Sequence, residues 1–272
     1  MGTIITILSG KGGVGKTTIT ALLGAALAKQ GHKVLITDAD MGMRDLDLVI
    51  GRENDVLYNV VDVQRDKENL EHAIISVSSN LDFLAASQQE SWEDVKRKKY
   101  GKLIKKLAES YDYVLLDSPA GIGRGIDILV EIADRLIVVT QPTWVALRNA
   151  GRIFQMLSEQ RKFDSVVVFN NMKTDLPDDF NVISMMYNVG AEYVGAVLPH
   201  CPSLEHAAQD GLLPVFYDSV YSDLFKPLVS FAETGEAMDE NELLTMYQER
   251  CGHKESMGER IKTAIKKMVG RS

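Results

Sequence analysis

The amino-acid sequence predicts an α/β fold in which helices cover both faces of a mainly parallel central sheet. Three observations carry that prediction. Short apolar runs recur along the 272 residues and alternate with longer stretches of helical composition. Two of those runs, Val34-Leu35-Ile36-Thr37-Asp38 and Tyr113-Val114-Leu115-Leu116-Asp117, end in an acid. The third is a glycine-rich stretch, Gly10-Lys11-Gly12-Gly13-Val14-Gly15-Lys16-Thr17-Thr18, set between the first apolar run and the first helical one.

The elements follow in chain order. Thr3-Ile4-Ile5-Thr6-Ile7-Leu8 has the pattern of a buried strand. The glycine stretch behind it fits the spacing G-x-x-x-x-G-K-[ST], with Gly10, Gly15, Lys16 and Thr17 in the required places. Residues 17–29 then read as a helix. Glycines let successive backbone N–H groups curl around phosphate oxygens, and the new helix turns its positive end to the same anion. The whole run 10–18 is therefore the candidate phosphate-binding set. Within it Lys16 reaches the outer phosphates and the Thr17 hydroxyl sits on Mg²⁺. Strand, loop and helix together specify a three-layer P-loop NTPase fold.

The strand ending in Asp38 runs into Ala39-Asp40-Met41-Gly42-Met43-Arg44-Asp45-Leu46-Asp47. Ligands of a parallel sheet lie beyond the carboxyl ends of its strands, so Asp38 and Asp40 are expected beside the loop. An acid there holds a metal-bound water or orients an attacking one. A helix cap or turn would account for one of the pair. Asp117, followed by Ser118-Pro119-Ala120-Gly121, occupies the Walker-B place, where a carboxylate acts on Mg²⁺. Gly121 stands where its N–H can meet the terminal phosphate. Further strands are expected over 81–86, 135–140, 165–170 and 193–198. Asn170 ends one of them, and an amide suits an adenine edge. Asn171 competes for that role, and a strand-end turn is the structural alternative.

Composition narrows the classes. A content of 45% hydrophobic residues can bury one sizeable core, and no linker or repeat divides the chain. Two cysteines, Cys201 and Cys251, make neither a disulfide framework nor a metal cluster, and read as reduced thiols of a cytoplasmic protein. No run approaches the roughly 18 apolar residues of a membrane span. The first strand begins at once, so no signal peptide is expected. The net charge of −8 argues against nucleic acid as a partner.

The end of the chain departs from that acidic balance. Residues 1–252 are expected to form the catalytic domain and 253–272 a basic tail. On a helix Met257, Ile261, Ile265 and Met268 share one side, with Lys266 and Lys267 among the flanking basic residues. That is the pattern of a helix lying on an anionic membrane surface, with packing on the domain as the alternative. Four partly buried aliphatic side chains offer a few kcal/mol. Each nearby basic residue adds roughly 1 kcal/mol. One tail is marginal, and two on a dimer bind with a high effective concentration.

Lys11, at the start of the loop, is not needed by an ordinary phosphate loop. With it the chain resembles the MinD/ParA family of deviant-loop ATPases. The resemblance extends over Asp38-Ala39-Asp40 with Gly42, Arg44 and Asp47, over Asp117 to Gly121, and over Leu198-Pro199 with Gly211 and Pro214. It implies ATP and Mg²⁺, with Lys11 reaching across a dimer interface to the partner's nucleotide. Lys11, Lys16 and Asp40 would be the catalytic residues, Thr17, Asp38 and Asp117 the metal shell, and Asn170 and Pro199 the adenine side. It further implies ATP-dependent homodimerisation, docking on the inner membrane face, and release on hydrolysis. Placement of the division septum, with inhibitor and ATPase-activating partners, would be the role.

Three departures from the family pattern stand out. His200 occupies a place that is usually acidic, while Thr143 and Asn149 replace a glutamate and an aspartate at the start of the partner-binding helix. His200 bears on how the adenine-side loop is held, while Thr143 and Asn149 leave open a different activator or cargo. Rival readings are an ATPase positioning a flagellum or chromosome and a nucleotide-dependent scaffold. An electron-transfer reductase of the same superfamily would need two cluster cysteines that Cys201 and Cys251 do not supply.

Overall fold

The structure, a computed structural model, describes residues 2–173 and 176–251. Its strands are β1 (Thr3–Leu8), β2 (Val34–Asp38), β3 (Ile74–Ser78), β4 (Leu81–Leu84), β5 (Tyr113–Asp117), β6 (Arg135–Thr140), β7 (Ser165–Met172) and β8 (Val194–Pro199). The helices are α1 (Lys16–Lys29), α2 (Leu46–Val49), α3 (Val60–Arg65), α4 (Leu70–Ala73), α5 (Arg97–Leu107), α6 (Ile126–Ile132), α7 (Trp144–Glu159), α8 (Val182–Val189), α9 (Pro202–Gln209), α10 (Ser219–Thr234) and α11 (Glu240–Cys251).

The strands form one sheet in the order β3-β4-β2-β5-β1-β6-β7-β8. Every pairing is parallel except β3 on β4. The central strands are buried on both faces, as a sheet with helices above and below requires. Neighbours alternate between the two layers. Ile5 and Leu115 enter the core with α1, α7, α8, α10 and α11, represented by Leu22, Leu147, Met185, Leu228 and Leu243. Ile4 and Val114 enter the other with α3, α5 and α6, through Val61, Ile104 and Leu129.

β1, β2, β5 and β6 have the expected limits. β4 stops at Leu84, and β7 runs on through Asn171 to Met172, which brings two amides to the strand end instead of one. β3 was not foreseen. Its residues are only half-buried or exposed, so it lacks the continuous apolar run that marks an interior strand. It closes one edge of the sheet with a register shift between Ser76 and Ser78.

Among the described residues no helix is long and apolar enough to cross a membrane. The boundary at 252 and the tail, including Met257, Ile261, Ile265, Lys266, Lys267 and Met268, lie outside the described residues.

Candidate active site

β1, β2 and β5 lie side by side and end level, because Asp38 pairs in register with Asp117 and Ile7 with Asp117. The loop leaving β1 therefore opens above two carboxylates. Gly13 and Gly15 take positive φ of 76° and 95°, the left-handed conformations that this loop needs. α1 begins at Gly15 with no side-chain cap and no acid in its first turn. Its leading N–H groups are left for an anion. Gly10 lies against the backbone of Asn149 in α7, where a Cβ would meet the carbonyl carbon at 2.3 Å.

Lys16 is buried, with its Nζ 2.8 Å from Asp117 Oδ1. Thr17 Oγ1 donates to the other carboxylate oxygen at 2.8 Å, and Thr20 Oγ1 lies 3.1 Å from Oδ1. Asp117 thus gathers the loop lysine and the loop threonine onto one carboxylate. A hydroxyl and a carboxylate at this separation are hard oxygen ligands of the kind Mg²⁺ takes together with substrate phosphates. The donor set fits that ion.

Asp38 is used differently. Its carboxylate is fully buried and accepts the backbone N–H of Asp40 at 2.8 Å and of Leu46 at 3.0 Å. Both oxygens tie down the loop from 40 to 46. Burial, reinforced by the neighbouring Asp117, pushes the Asp38 carboxyl up to about 8. Asp40 stands half-buried at the mouth. Burial raises it as well, with Lys16 opposing the shift. No hydrogen bond within the described residues engages the Asp40 carboxylate. The turn it opens is closed by an ion pair of 2.7 Å between Arg44 and buried Asp47.

Lys11 is exposed on the outer side of the loop, without a hydrogen bond or ion pair among the described residues. Gly12 is exposed beside it, Val14 is buried below, and Thr18 faces the cleft described next. Gly121 sits at φ 85°, and its N–H donates to the Ser9 carbonyl at 2.8 Å. For it to meet a phosphate that bond must first open.

A cleft of about 300 Å³ runs from Gly13, Gly15 and Thr18 to Asn170, Asn171, Pro199 and His200. Asn170 Nδ2 donates to the Val14 carbonyl at 2.9 Å, fastening the loop to the end of β7. Asn171, at φ 59°, turns the other way and places Oδ1 2.8 Å from His200 Nδ1. The residues expected on the adenine side therefore share one wall.

Several contributors escaped the sequence. Gln141, at the end of β6, donates through Nε2 to the Gly13 carbonyl at 3.2 Å. Its place beyond a parallel strand was the signal that could have found it. Trp92 donates its indole N–H to the Ala39 carbonyl at 2.8 Å and lies against Gly125, where a Cβ would meet the ring at 2.3 Å. It bridges the loops after β2 and β5, and no local pattern announces it. Glu205, 3.5 Å from His200, is a carboxylate partner that sequence spacing did not suggest.

A family model described as an AAA domain matches residues 2–168. The septum site-determining protein MinD of Thermotoga maritima is 36% identical over 219 residues, covering 78% of this chain and 80% of the relative. The chain belongs to the MinD family. MinD of Helicobacter pylori is 38% identical over 194 residues, 68% of this chain and 72% of that one. Among solved structures, MinD in the MinC:MinD complex of Aquifex aeolicus superposes with a TM-score of 0.73 at 33% identity, covering 87% of this chain and 97% of that one. MinD of Pyrococcus horikoshii with Mg-ADP gives 0.71 at 30%, covering 86% and 95%. A ParA-family ATPase from Chlorobium tepidum, at 22% identity, shares the fold. The chain is thus a P-loop ATPase of the MinD/ParA group.

Proposed function

We propose that this MinD-family ATPase binds ATP with Mg²⁺, dimerises across two nucleotides, rests on an anionic membrane through its tail and positions the division septum. Hydrolysis returns it to the cytoplasm. The observation that carries the reading is the meeting of Lys16 and Thr17 on Asp117 beneath the glycine loop. Lys16 would leave Asp117 for the phosphates. Thr17 and Asp117 would hold Mg²⁺, which supplies charge neutralisation of the phosphates. Asp38, engaged with two backbone amides, would reach the metal only through water or after releasing one of them. Asp40, whose carboxylate is not committed elsewhere, would align the attacking water.

Exposed Lys11 suits a role completed by a second subunit, since no hydrogen bond or ion pair among the described residues holds it. An inhibitor of the MinC kind is supported by the Aquifex aeolicus relative, which is seen in a MinC:MinD complex. Thr143 caps α7 through Ala146 N at 3.3 Å, and Trp144 beside it is exposed. With Asn149 these residues favour an activating partner whose contacts differ from those made to a glutamate and an aspartate.

Sedimentation of the full chain with anionic liposomes, with ATP or ADP, tests the proposal beside a chain ending at Gly252. Pelleting that needs both ATP and the tail is expected, together with an ATP-dependent dimer that Lys11→Ala abolishes in analytical ultracentrifugation. Equal pelleting in every state, or none, would remove the membrane cycle and leave an ATPase switch acting on protein.

A further inference from the structure

His200 lines the cleft beside Pro199 and Asn171, and its ring is held by one nitrogen. Nδ1 lies 2.8 Å from Asn171 Oδ1 and 3.5 Å from Glu205 Oε1. An ionised carboxylate can only accept, and the amide oxygen can only accept, so the proton on the neutral ring belongs on Nδ1. Nε2 is then a lone-pair acceptor. No hydrogen bond among the described residues engages it. Asn171 holds this position by adopting a left-handed φ of 59°, the conformation asparagine tolerates better than most side chains. Glu205 comes from α9, and the backbone N–H of His200 is tied to the Met172 carbonyl at 2.9 Å. Ring orientation and tautomer are therefore set from two places in the chain, the end of β7 and α9.

We propose that His200 is a specificity-determining residue that selects a 6-amino purine nucleotide through Nε2. Adenine offers a donor at N6 where guanine offers the O6 acceptor. A fixed acceptor at the base end of the cleft favours the first and repels the second. Asn170 gives one Nδ2 hydrogen to the Val14 carbonyl and keeps both a donor and an acceptor, so by itself it excludes neither base. Glu205 and Asn171 act as positioning residues, because they reach the base only through the imidazole. The inference rests on the reading of this cleft as the nucleotide site.

Equilibrium titration of the full chain with Mg-ADP and Mg-GDP tests it without relying on turnover. The native chain should prefer ADP. His200→Ala should lower the ADP-over-GDP ratio about tenfold, the worth of one hydrogen bond plus relief of repulsion. His200→Gln, which retains an acceptor, should restore part of the ratio. Glu205→Gln should lower it less than His200→Ala does. Thermal melting without nucleotide verifies that each variant is folded. An unchanged ratio in folded His200→Ala would overturn the inference and leave the site intact. Failure of the native chain to bind either nucleotide would remove the site, and the inference with it.

Discussion

The two ends of the cleft are built on opposite plans. At the phosphate end, buried Lys16 and Thr20 and half-buried Thr17 gather from the start of α1 onto buried Asp117 at the end of a central strand. At the base end, Asn170, Asn171, His200 and Glu205 are partly exposed and come from the ends of β7 and β8 and from α9. Burial makes the first end unforgiving, because a charge that loses its partner there has no water to replace it. Exposure makes the second tunable. A side chain can be exchanged there at the cost of a hydrogen bond rather than of the fold. On the proposed reading, chemistry common to all nucleotides would sit in the rigid part and discrimination in the adjustable part.

Lys16→Ala is the sharpest way to break the contrast. It removes the phosphate cation and leaves Asp117 buried and unpaired. Phosphate release should fall by about 100-fold or more, and urea unfolding should show a loss of about 3 kcal/mol. A variant of native stability would mean that the pair is not buried as described. Asp40→Ala comes next, with turnover down about 100-fold and nucleotide affinity within a factor of about two. Parallel loss of affinity would move Asp40 from water alignment to binding.

Gly15→Ala probes the seam between the two ends. The φ of 95° is strained for alanine, and its Cβ would fall 2.2 Å from Asn170 Nδ2. We expect about 2 kcal/mol of lost stability and weaker binding of every nucleotide alike. The mildest change is Asn170→Ala, which gives up the bond to the Val14 carbonyl. It should cost about 1 kcal/mol of stability in urea unfolding, the worth of one hydrogen bond. A larger effect would show that the loop depends on this fastening for more than the one hydrogen bond.

Legibility in the sequence followed the distance between cooperating residues along the chain. The loop was readable because glycine conformations, lysine and hydroxyl occur within 10–18, and the adjoining strand and helix confirm them. Asp117 was readable because it ends a buried apolar strand, and ligands of a parallel sheet lie beyond the carboxyl ends of its strands. β3 was hidden by its half-exposed pattern, and Trp92 by its separation from Ala39 and Gly125. Gly121 was expected to offer its N–H to the terminal phosphate, whereas that N–H is engaged by Ser9, a contact between two loops that no local pattern encodes.

By itself, the sequence determined the phosphate loop, the parallel strands of the centre and the acids at their ends. Those features depend on local conformation and on the period of apolar residues, which are written in consecutive positions. Only the tertiary structure decided what each acid does. It gave Asp117 to Lys16 and Thr17, spent Asp38 on two backbone amides and left Asp40 uncommitted. It also turned His200 by bringing Asn171 and Glu205 to a single nitrogen. The physical reason is that a hydrogen bond acts over about 3 Å of space, whatever the number of residues between its partners.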